Sequence, residues 1–504
     1  MAPDLSVGRA VADLARRAPD TRSLVADDGR VLTAAELDRR ADALAADLHA
    51  GGVRPGDRVA WAGRNDPGLI LTLLAANRLG AVFVPLNFRL TTVEAQRTLD
   101  HAGPHTVVVE TAVAPVYEPL RAAPSGAVTR WMTSEQATDA SEGASRPPRR
   151  TASPDELAVI VHTSGTSGQP KGVMLTHANL WWSARSMSRV LGTQADDVVL
   201  VAAPLFHIAG LNCFTLDALS RGCTVLLRRS FDAPRTLYDL THGVTTVFGV
   251  PAMYAALTRL PEFAHADLSG VRKAVVGGGP AQADLVGRLA RSGMTVHPSW
   301  GMTELAGGGT VLSGDEAPAK PCSVGRPLPY LEVTLRADDS AVITEPGAPG
   351  EVWVRGPQVT RGYWQDPEAT EAALTAEGWL RTKDLASWDV DGCLTLAGRT
   401  CEVINTGGEK VVPGEVEVAL RTLPVDELVV VGAPDPLWGE TVVVVVACAP
   451  DRVPSLEDVR ASAGGTLAHY KMPTRVVAVA ELPRTASGKV DRCAVRALAA
   501  RAEI

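Results

Sequence analysis

Residues 157–177 read LAVIVHTSGTSGQPKGVMLTH, an apolar run followed by a segment dense in Thr, Ser and Gly that includes a single lysine, Lys171. The run Leu157–Val161 has the length and composition of a buried β-strand. Glycine N–H groups approach oxygen atoms closely and hydroxyls add donors, so the loop Thr163–Gly168 predicts a phosphate cradle. A Walker A motif is excluded, because Pro170 stands where that motif requires glycine. A flexible surface loop is the alternative on composition alone.

Composition narrows the classes of protein to which this chain can belong. Its 504 residues are too many for one ordinary hydrophobic core, so we expect more than one domain. A content of 46% hydrophobic and 21% charged residues is typical of a globular protein. A net charge of −8 argues against a general nucleic-acid binder. The seven cysteines form no C-x-x-C pair, the N-terminus lacks a signal layout, and the longest apolar runs are too short to span a bilayer. We therefore expect a cytoplasmic protein with no transmembrane segment and no nucleic-acid partner.

Alternating apolar segments predict an α/β fold. RVAWAG (Arg58–Gly63) and AVFVPLN (Ala81–Asn87) have the pattern of buried strands, and Leu69–Leu79 between them has helical spacing. This strand–helix–strand order is typical of parallel sheets. Shorter β-rich segments begin near Glu351, and a compact tail of strands and helices follows Arg399. The predicted fold class is α/β, with a large N-terminal domain of several subdomains and mostly parallel sheets over residues 1–398 and a small α+β C-terminal domain over residues 399–504.

Further motifs follow the Thr/Ser/Gly loop along the chain. They are PLFHIAGL (Pro204–Leu211), VGGGPA (Val276–Ala281), WGMTE (Trp300–Glu304), GWLRTKD (Gly378–Asp384), GRTCEVINTGGEKVVPGEVE (Gly398–Glu417), YKMP (Tyr470–Pro473) and PRTASGKV (Pro483–Val490). In this order they resemble the motifs of the adenylate-forming superfamily, which includes acyl-CoA synthetases, nonribosomal peptide adenylation domains and luciferases. Within the superfamily the chain is most similar to bacterial fatty-acyl and aryl-CoA ligases.

The resemblance implies a two-step reaction of an acid–thiol ligase. A carboxylic acid first reacts with ATP in the presence of Mg²⁺ to give an acyl-adenylate and pyrophosphate, and the thiol of coenzyme A then displaces AMP. It also implies that the C-terminal domain is mobile and alternates between the two half-reactions. The implied cofactors are therefore ATP, Mg²⁺ and coenzyme A.

Four residues are implied to carry the chemistry. Lys489 matches the superfamily lysine that bridges carboxylate and α-phosphate, and it is one of only seven lysines among 49 Lys and Arg residues. Glu304 would hold Mg²⁺, which prefers oxygen ligands, and Thr303 would donate its hydroxyl to the α-phosphate. His207 would lie between the acyl pocket and the thiol tunnel. An isolated lysine, a Thr-Glu pair or a lone histidine is more often structural, so these roles depend on the motifs.

The remaining implied contacts are to the nucleotide and to coenzyme A. Asp384 and Arg399 would bind the ribose hydroxyls, and Trp300 would stack on adenine where the superfamily usually has Tyr. Gly407 and Gly408 would bring the hinge-proximal loop close to the thiol tunnel. The full predicted set of cofactor-binding residues is Thr163, Ser164, Gly165, Thr166, Ser167, Gly168, Lys171, Gly278, Gly279, Pro280, Trp300, Gly301, Met302, Asp384, Arg399, Gly407 and Gly408.

Two positions depart from the superfamily pattern. Lys383 stands where the usual T-G-D motif has glycine, and if this position has a positive φ, a lysine there costs about 1 kcal/mol. Cys401 replaces the usual hinge Asp or Lys, and a thiol forms weaker hydrogen bonds. These departures bear on the thiol-transfer step more than on adenylation.

The sequence leaves the substrate and the acceptor open. The predicted pocket residues are mostly small or apolar, which favours a medium-chain, long-chain or aryl monocarboxylic acid over a dicarboxylic acid. They are His207, Ile208, Asn212, Val250, Met253, Gly279, Met302 and Gly307–Gly309. The alternative to coenzyme A is a different acceptor in a biosynthetic pathway, namely a carrier-protein thiol, an amine, or nitrite activation for diazotisation. An inactive nucleotide-binding or acyl-binding protein is disfavoured, because Lys489 and Glu304 are both present.

Overall fold

The structure, a computed structural model, describes residues 3–122, 128–139, 150–164, 170–279, 283–337, 340–399, 402–406, 409–435, 439–463, 467, 471–485 and 488–501. The chain forms two compact units. Unit 1 comprises Met1–Val333 and Val354–Leu380, and unit 2 comprises Thr334–Trp353 and Arg381–Ile504. The predicted boundary between residues 398 and 399 separates a large domain from a C-terminal domain that is expected to move. The two units describe compactness and not motion, so this boundary stays a prediction.

The helices of the described residues are short to medium in length. They are α1 (Val7–Arg17), α2 (Ala34–Ala50), α3 (Pro67–Leu79), α4 (Thr92–Ala102), α5 (Ala114–Ala122), α6 (Ser134–Thr138), α7 (His177–Leu191), α8 (Asp217–Arg221), α9 (Ala233–Thr241), α10 (Pro251–Thr258), α11 (Ala283–Arg291), α12 (Pro367–Ala373), α13 (Pro413–Ala419), α14 (Leu456–Ala463) and α15 (Arg492–Arg501). A π-helix, Ala209–Leu216, precedes α8. Among the described helices, none combines the length and the apolar character that crossing a bilayer requires.

The strands of the described residues run from β1 to β25. They are β1 (Arg22–Val25), β2 (Val31–Thr33), β3 (Arg58–Ala62), β4 (Val82–Leu86), β5 (Thr106–Val109), β6 (Arg130–Thr133), β7 (Leu157–Ser164), β8 (Pro170–Thr176), β9 (Val198–Val201), β10 (Thr224–Leu227), β11 (Thr246–Gly249), β12 (Lys273–Val276), β13 (Val296–Trp300), β14 (Thr310–Val311), β15 (Arg326–Pro327), β16 (Glu332–Arg336), β17 (Val342–Ile343), β18 (Gly350–Arg355), β19 (Leu380–Trp388), β20 (Leu394–Arg399), β21 (Ile404–Thr406), β22 (Glu409–Val411), β23 (Glu427–Asp435), β24 (Gly439–Ala447) and β25 (Arg475–Val479).

Two large sheets organise the described part of unit 1. One has the order β6-β5-β3-β4-β7-β8, and the other has the order β15-β14-β13-β12-β11-β9-β10-β1-β2. Most neighbours are parallel, whereas β8 and the strands at both ends of the second sheet are antiparallel. The predicted α/β class with mostly parallel sheets is confirmed.

Helix α3 illustrates why these elements form. Asp66 caps its first turn by accepting a hydrogen bond from Gly68 N at 2.8 Å, Pro67 occupies its first position, and Gly80 ends it with a φ of 71°. Every residue of α3 is buried, as expected for a mostly apolar helix in a protein core. Side chains of α2 and α3 join those of both sheets in the largest buried cluster, so the core of unit 1 lies between the two sheets.

Unit 2 contains two smaller sheets. The first has the order β17-β16-β18-β19-β20. In the second, β23 and β24 are antiparallel and β25 pairs with β24 in parallel. Alternate valines of β24 face opposite sides: Val442 and Val444 pack in the cluster that includes α13 and α14 residues, and Val443 and Val445 pack against α15. The β-branched run therefore forms a central strand covered on both faces.

Candidate active site

Four parallel strands of the second sheet end at one edge of unit 1. β9, β11, β12 and β13 lie in the order β13-β12-β11-β9 and end at Val201, Gly249, Val276 and Trp300. In open α/β sheets, ligands bind in the crevice outside these carboxyl ends. The loops that follow carry the predicted gate motif, the predicted Gly-rich turn and the WGMTE motif. The structure thus brings these three motifs to a common edge.

The WGMTE motif forms a tight turn at this edge. Trp300 ends β13, and Thr303 and Glu304 lie in the one-turn 3₁₀ helix Thr303–Leu305. Ala306 follows in the left-handed region with a φ of 52°. Gly309 N then donates to Trp300 O at 3.0 Å, which closes the turn. Glu304 is only 8% exposed, so its carboxylate is held among protein groups.

Glycines permit the close packing of this turn. Gly301 and Met302 connect β13 to the 3₁₀ helix, and a Cβ at Gly301 would clash with the carbonyl oxygen of Gly307. A Cβ at Gly309 would lie 2.6 Å from Cε3 of Trp300, so the indole ring lies against this glycine. The turn therefore fixes the backbone around the two residues predicted to bind adenine and metal.

The Gly-rich turn after β12 leaves space beside the sheet. Gly278 has a φ of 75°, which glycine adopts at low cost. A Cβ there would lie 3.3 Å from Val250, and one at Gly279 would lie 3.7 Å from Pro251. This backbone without side chains fits the predicted wall for a flat adenine ring. Pro280, also predicted for this wall, lies outside the described residues.

The Thr/Ser/Gly loop connects two antiparallel strands of the first sheet. Thr163 and Ser164 end β7, and Lys171 in β8 lies opposite Thr163. Gly165, Thr166, Ser167 and Gly168 lie outside the described residues. The prediction of a strand followed by the phosphate loop is therefore confirmed for the strand, and the cradle itself stays a prediction.

A segment that the sequence did not single out, residues 357–364, joins the phosphate-loop strand to the WGMTE turn. Thr360 N donates to Glu304 O at 2.8 Å, and the Thr360 hydroxyl donates to Met174 O at 2.6 Å. Trp364 N donates to Gly172 O at 2.7 Å, which adds a β-like pairing along β8. Both ends of this connection lie in unit 1, so the segment links two predicted nucleotide-binding motifs.

Tyr363 contacts two charged residues of the predicted site. Its hydroxyl donates to Oε1 of Glu304 at 2.8 Å. The ammonium nitrogen of Lys171 lies 5.3 Å from the centre of the Tyr363 ring, within the range of a cation–π interaction. One aromatic side chain therefore lies between a predicted phosphate-binding cation and a predicted metal-binding carboxylate.

The residues present fit Mg²⁺ bound together with ATP. Mg²⁺ usually keeps several waters and is held by one or two carboxylates plus substrate phosphates. Glu304 supplies one carboxylate at the carboxyl edge of the sheet. In the described residues no group of three or more His, Cys, Asp or Glu side chains could form an all-protein metal cage. The donor set thus matches a metal that arrives with the nucleotide.

The gate motif is held by a buried asparagine. Asn65 accepts a hydrogen bond from Leu205 N at 2.9 Å and donates to Ala203 O at 3.0 Å. The ring of Phe206 lies 4.3 Å from that of His207, measured between ring centres. His207 is half-buried at the start of the turn that leads into the π-helix. These contacts fix the loop on which the predicted gating histidine lies.

A pair of histidines lies at the start of the phosphate loop. His162 precedes Thr163, and its Nε2 lies 3.2 Å from Nδ1 of His101. Burial, and secondarily the neighbouring His101, lowers the pKa of His162 to about 3. In the part of the chain that the structure describes, the buried Nδ1 of His162 has no hydrogen-bond partner. This histidine is therefore neutral at physiological pH.

Asp384, the predicted ribose ligand, lies on β19 of unit 2 and is largely buried. The hydroxyl of Thr382, two residues earlier, donates to Val352 O at 2.7 Å and accepts a hydrogen bond from Asp384 N at 3.1 Å. Lys383 has a φ of 62°, and its N–H donates to Oε1 of Glu351 at 2.9 Å. The suspected positive φ at the lysine that replaces glycine is therefore confirmed.

Lys489 lies on an exposed turn of unit 2. Thr485 N donates to Lys489 O at 2.8 Å, and Gly488 between them has a φ of 84°. Arg399 is the last residue of β20, and nothing further is described of its side chain. Three further residues of the prediction lie outside the described residues: Gly407, Gly408 and Cys401, the last of which stands at the predicted hinge.

Sequence comparison identifies the family. A sequence model described as AMP-binding enzyme matches residues 11–364, and a second, described as AMP-binding enzyme C-terminal domain, matches residues 415–489. The chain belongs to the AMP-binding enzyme family. The predicted membership of the adenylate-forming superfamily, in its acyl-CoA synthetase branch, is confirmed, and the protein is an enzyme of the AMP-forming acid–thiol ligase class.

Relatives of this AMP-binding enzyme match it over nearly their whole length. It is 40% identical to a feruloyl-CoA synthase from an Amycolatopsis species over 484 residues, 96% of each chain. It is 36% identical to an indoleacetate–CoA ligase from Aromatoleum aromaticum, with 94% of each chain covered. A solved structure of o-succinylbenzoate CoA synthetase from Bacillus subtilis with its acyl-adenylate intermediate is 31% identical, with a TM-score of 0.86 and 98% of each chain covered.

Several residues of this AMP-binding enzyme's site were not found from the sequence. Tyr363 and Thr360 contact Glu304, and Ser183 donates to the carbonyl oxygen of Ala306 at 3.1 Å. Asn212, which the sequence predicted only as a pocket residue, donates to the same oxygen at 3.0 Å. Asn212 lies in the π-helix, an element often found at functional sites. The available signal was the presence of polar residues within strongly apolar segments, which indicates buried hydrogen bonding.

Proposed function

We propose that this AMP-binding enzyme activates an aryl monocarboxylic acid with ATP and transfers the acyl group to the thiol of coenzyme A. The observation that carries the proposal is the convergence of the gate motif, the Gly-rich turn and Glu304 at the carboxyl ends of β9 and β11–β13. The names of two relatives, a feruloyl-CoA synthase and an indoleacetate–CoA ligase, support an aryl acid as the substrate.

Each site residue has a role in this proposal. Lys489 bridges the substrate carboxylate and the α-phosphate during adenylation, and Thr303 donates its hydroxyl to that phosphate. Glu304 holds Mg²⁺, which neutralises phosphate charge when bound. His207 separates the acyl pocket from the thiol tunnel. The residues predicted to bind nucleotide and coenzyme A, from Thr163 to Gly408, keep the roles given above.

The structure gives one reason to prefer a monocarboxylic acid. A dicarboxylic acid needs a cation for its second carboxylate. Arg288 lies near the position of such a cation in malonate-specific members of the superfamily, but one residue out of register with it. It is exposed on α11 and pairs with Asp284 at 3.1 Å. Because the Arg288 side chain is 44% exposed to solvent, we do not assign it as the ligand of a buried second carboxylate.

The test is pyrophosphate release from ATP over a panel of acids, run with and without coenzyme A, with products identified by mass. The panel contains cinnamic, benzoic and arylacetic acids, short to long fatty acids, dicarboxylic acids and nitrite. We expect turnover with aryl acids and formation of an aryl-CoA. A preference for fatty acids would contradict the proposal that the substrate is an aryl acid. Formation of an adenylate without a thioester would contradict coenzyme A as the acceptor and would favour a carrier-protein thiol or an amine.

A further inference from the structure

We propose that Tyr363 is a positioning residue that fixes the Glu304 carboxylate and the Lys171 ammonium relative to each other. This inference rests on the proposed roles of Glu304 in holding Mg²⁺ and of Lys171 in phosphate binding. It adds a residue outside the predicted motifs to the machinery of adenylation.

The first argument is the geometry at the hydroxyl. The Tyr363 hydroxyl donates to Oε1 of Glu304 at 2.8 Å, a normal length for an O–H···O hydrogen bond. Because Glu304 is buried, water does not readily replace this donor. Partners of metal-binding carboxylates restrict the carboxylate's rotamer, and their loss typically weakens metal binding or activity about 10-fold to 100-fold.

The second argument is the geometry at the ring. The Lys171 ammonium lies 5.3 Å from the ring centre, so the face of Tyr363 attracts the cation while its edge holds the anion. The two contacts use different parts of one side chain. They are therefore separable by substitution.

The third argument is the anchoring of the Tyr363 backbone. Tyr363 forms an antiparallel bridge with Val173 of β8, the strand that carries Lys171. Tyr363 N also donates to the Thr370 hydroxyl at 2.9 Å. Because the backbone is fixed at this point, the ring and the hydroxyl have a defined place between the two charged groups.

Two substitutions separate the contacts. Tyr363→Phe keeps the ring beside Lys171 and removes the hydroxyl from Glu304, whereas Tyr363→Leu removes both. Tyr330→Phe, at an exposed site of unit 1, controls for the loss of a phenol elsewhere.

The experiment measures ATP binding by calorimetry at several Mg²⁺ concentrations, together with the Mg²⁺ dependence of pyrophosphate release. Tyr363→Phe is expected to weaken Mg²⁺ binding, so that the apparent Mg²⁺ dissociation constant and the Mg²⁺ concentration for half-maximal pyrophosphate release both rise about 10-fold. Metal-free ATP binding should stay near wild type in Tyr363→Phe and fall in Tyr363→Leu, which also loses the lysine contact. Tyr330→Phe is expected to leave the Mg²⁺ dissociation constant at the wild-type value.

The inference is overturned if Tyr363→Phe binds Mg²⁺ with ATP as the wild type does, or if Tyr330→Phe shifts the Mg²⁺ constant equally. Glu304→Gln distinguishes this failure from failure of the proposed metal site. If Glu304→Gln shifts the constant and Tyr363→Phe does not, only the inference about Tyr363 fails. If Glu304→Gln leaves the constant unchanged, the metal role of Glu304 fails and the inference falls with it.

Discussion

Lys383 has a backbone conformation that glycine adopts at low cost. Its φ of 62° lies in the left-handed region, where the Cβ of an L-residue crowds the backbone. The conformation is held by neighbours on both sides, since Glu351 accepts from Lys383 N and Thr382 accepts from Asp384 N. Strain at this position is therefore maintained by the strand that presents the predicted ribose ligand.

Lys383→Gly should accordingly stabilise unit 2. We expect the free energy of unfolding to rise by about 1 kcal/mol, because glycine relieves the steric cost. Lys383→Ala is the matched control: it removes the same charge and keeps the Cβ. Chemical denaturation of both variants provides the measurement. Equal stabilities for the Gly and Ala variants would contradict the strain argument.

His162 predicts a pH dependence of stability at the same scale. Burial lowers its pKa from 6.5 to about 3, so between these values the unfolded chain binds a proton that the folded chain does not. The free energy of unfolding therefore falls as the pH drops below 6.5, by about 1.4 kcal/mol per pH unit from this group. His177, whose pKa is lowered to about 4 mainly by burial, adds to the slope.

His162→Phe should remove its share of this slope. We expect the unfolding free energy of the variant to depend less steeply on pH between 6 and 4, by about 1.4 kcal/mol per pH unit. The measurement is urea denaturation at several pH values. His265→Gln, at an exposed site, is the control and should keep the wild-type slope. A wild-type slope in His162→Phe would show that the folded chain protonates this ring.

At the scale of elements, the turn after β13 depends on close contact between backbone and indole. Gly309→Ala places a Cβ 2.6 Å from Cε3 of Trp300. We expect a loss of about 1–3 kcal/mol in stability from overpacking, together with weaker ATP binding because the ring predicted to stack on adenine is displaced. Thermal unfolding and calorimetric titration with ATP measure the two effects.

Gly270→Ala provides the matched control for the turn. A Cβ at Gly270 has no heavy atom within 4 Å, and its backbone is not left-handed. The variant should be as stable as the wild type or more stable by about 0.5 kcal/mol, because alanine restricts the unfolded chain. If both substitutions were tolerated equally, the packing of Gly309 against Trp300 would not be essential.

The sequence predicted local elements better than the contacts between them. Predicted strand Arg58–Gly63 and helix Leu69–Leu79 correspond to β3 and α3 within a few residues, because apolar spacing and the Asp66-Pro67 start are local signals. The motifs also pointed to Glu304, and its metal-binding role stays a prediction. Tyr363 escaped prediction because its bond to Glu304 joins residues 59 positions apart, and no local periodicity encodes such a pair.

At the scale of the whole molecule, the proposed catalytic groups are divided between the two units. Glu304 and Thr303 belong to unit 1, and Lys489 belongs to unit 2. A lysine on an exposed turn of a separate unit suits a group that is needed in one half-reaction only. The two half-reactions should therefore respond differently to its loss.

Lys489→Ala is expected to slow adenylation about 100-fold or more, as the loss of a single charge-stabilising donor does in other enzymes. Thioester formation from supplied acyl-adenylate and coenzyme A should remain within a few-fold of wild type. The measurements are pyrophosphate release and thioester formation, run separately, with Lys320→Ala as a control. Equal losses in both half-reactions would contradict a role confined to adenylation.

The position of β1 has a consequence for biosynthesis. β1 lies between β2 and β10, with Leu24 opposite Val225 and Val25 opposite Leu226. A ribosome releases β1 roughly 200 residues before its parallel partner, whereas β3 to β8, which build the other large sheet, emerge consecutively. The nascent chain therefore carries β1 without its parallel neighbour until β10 has emerged. We therefore expect this N-terminal segment to need protection by chaperones during translation.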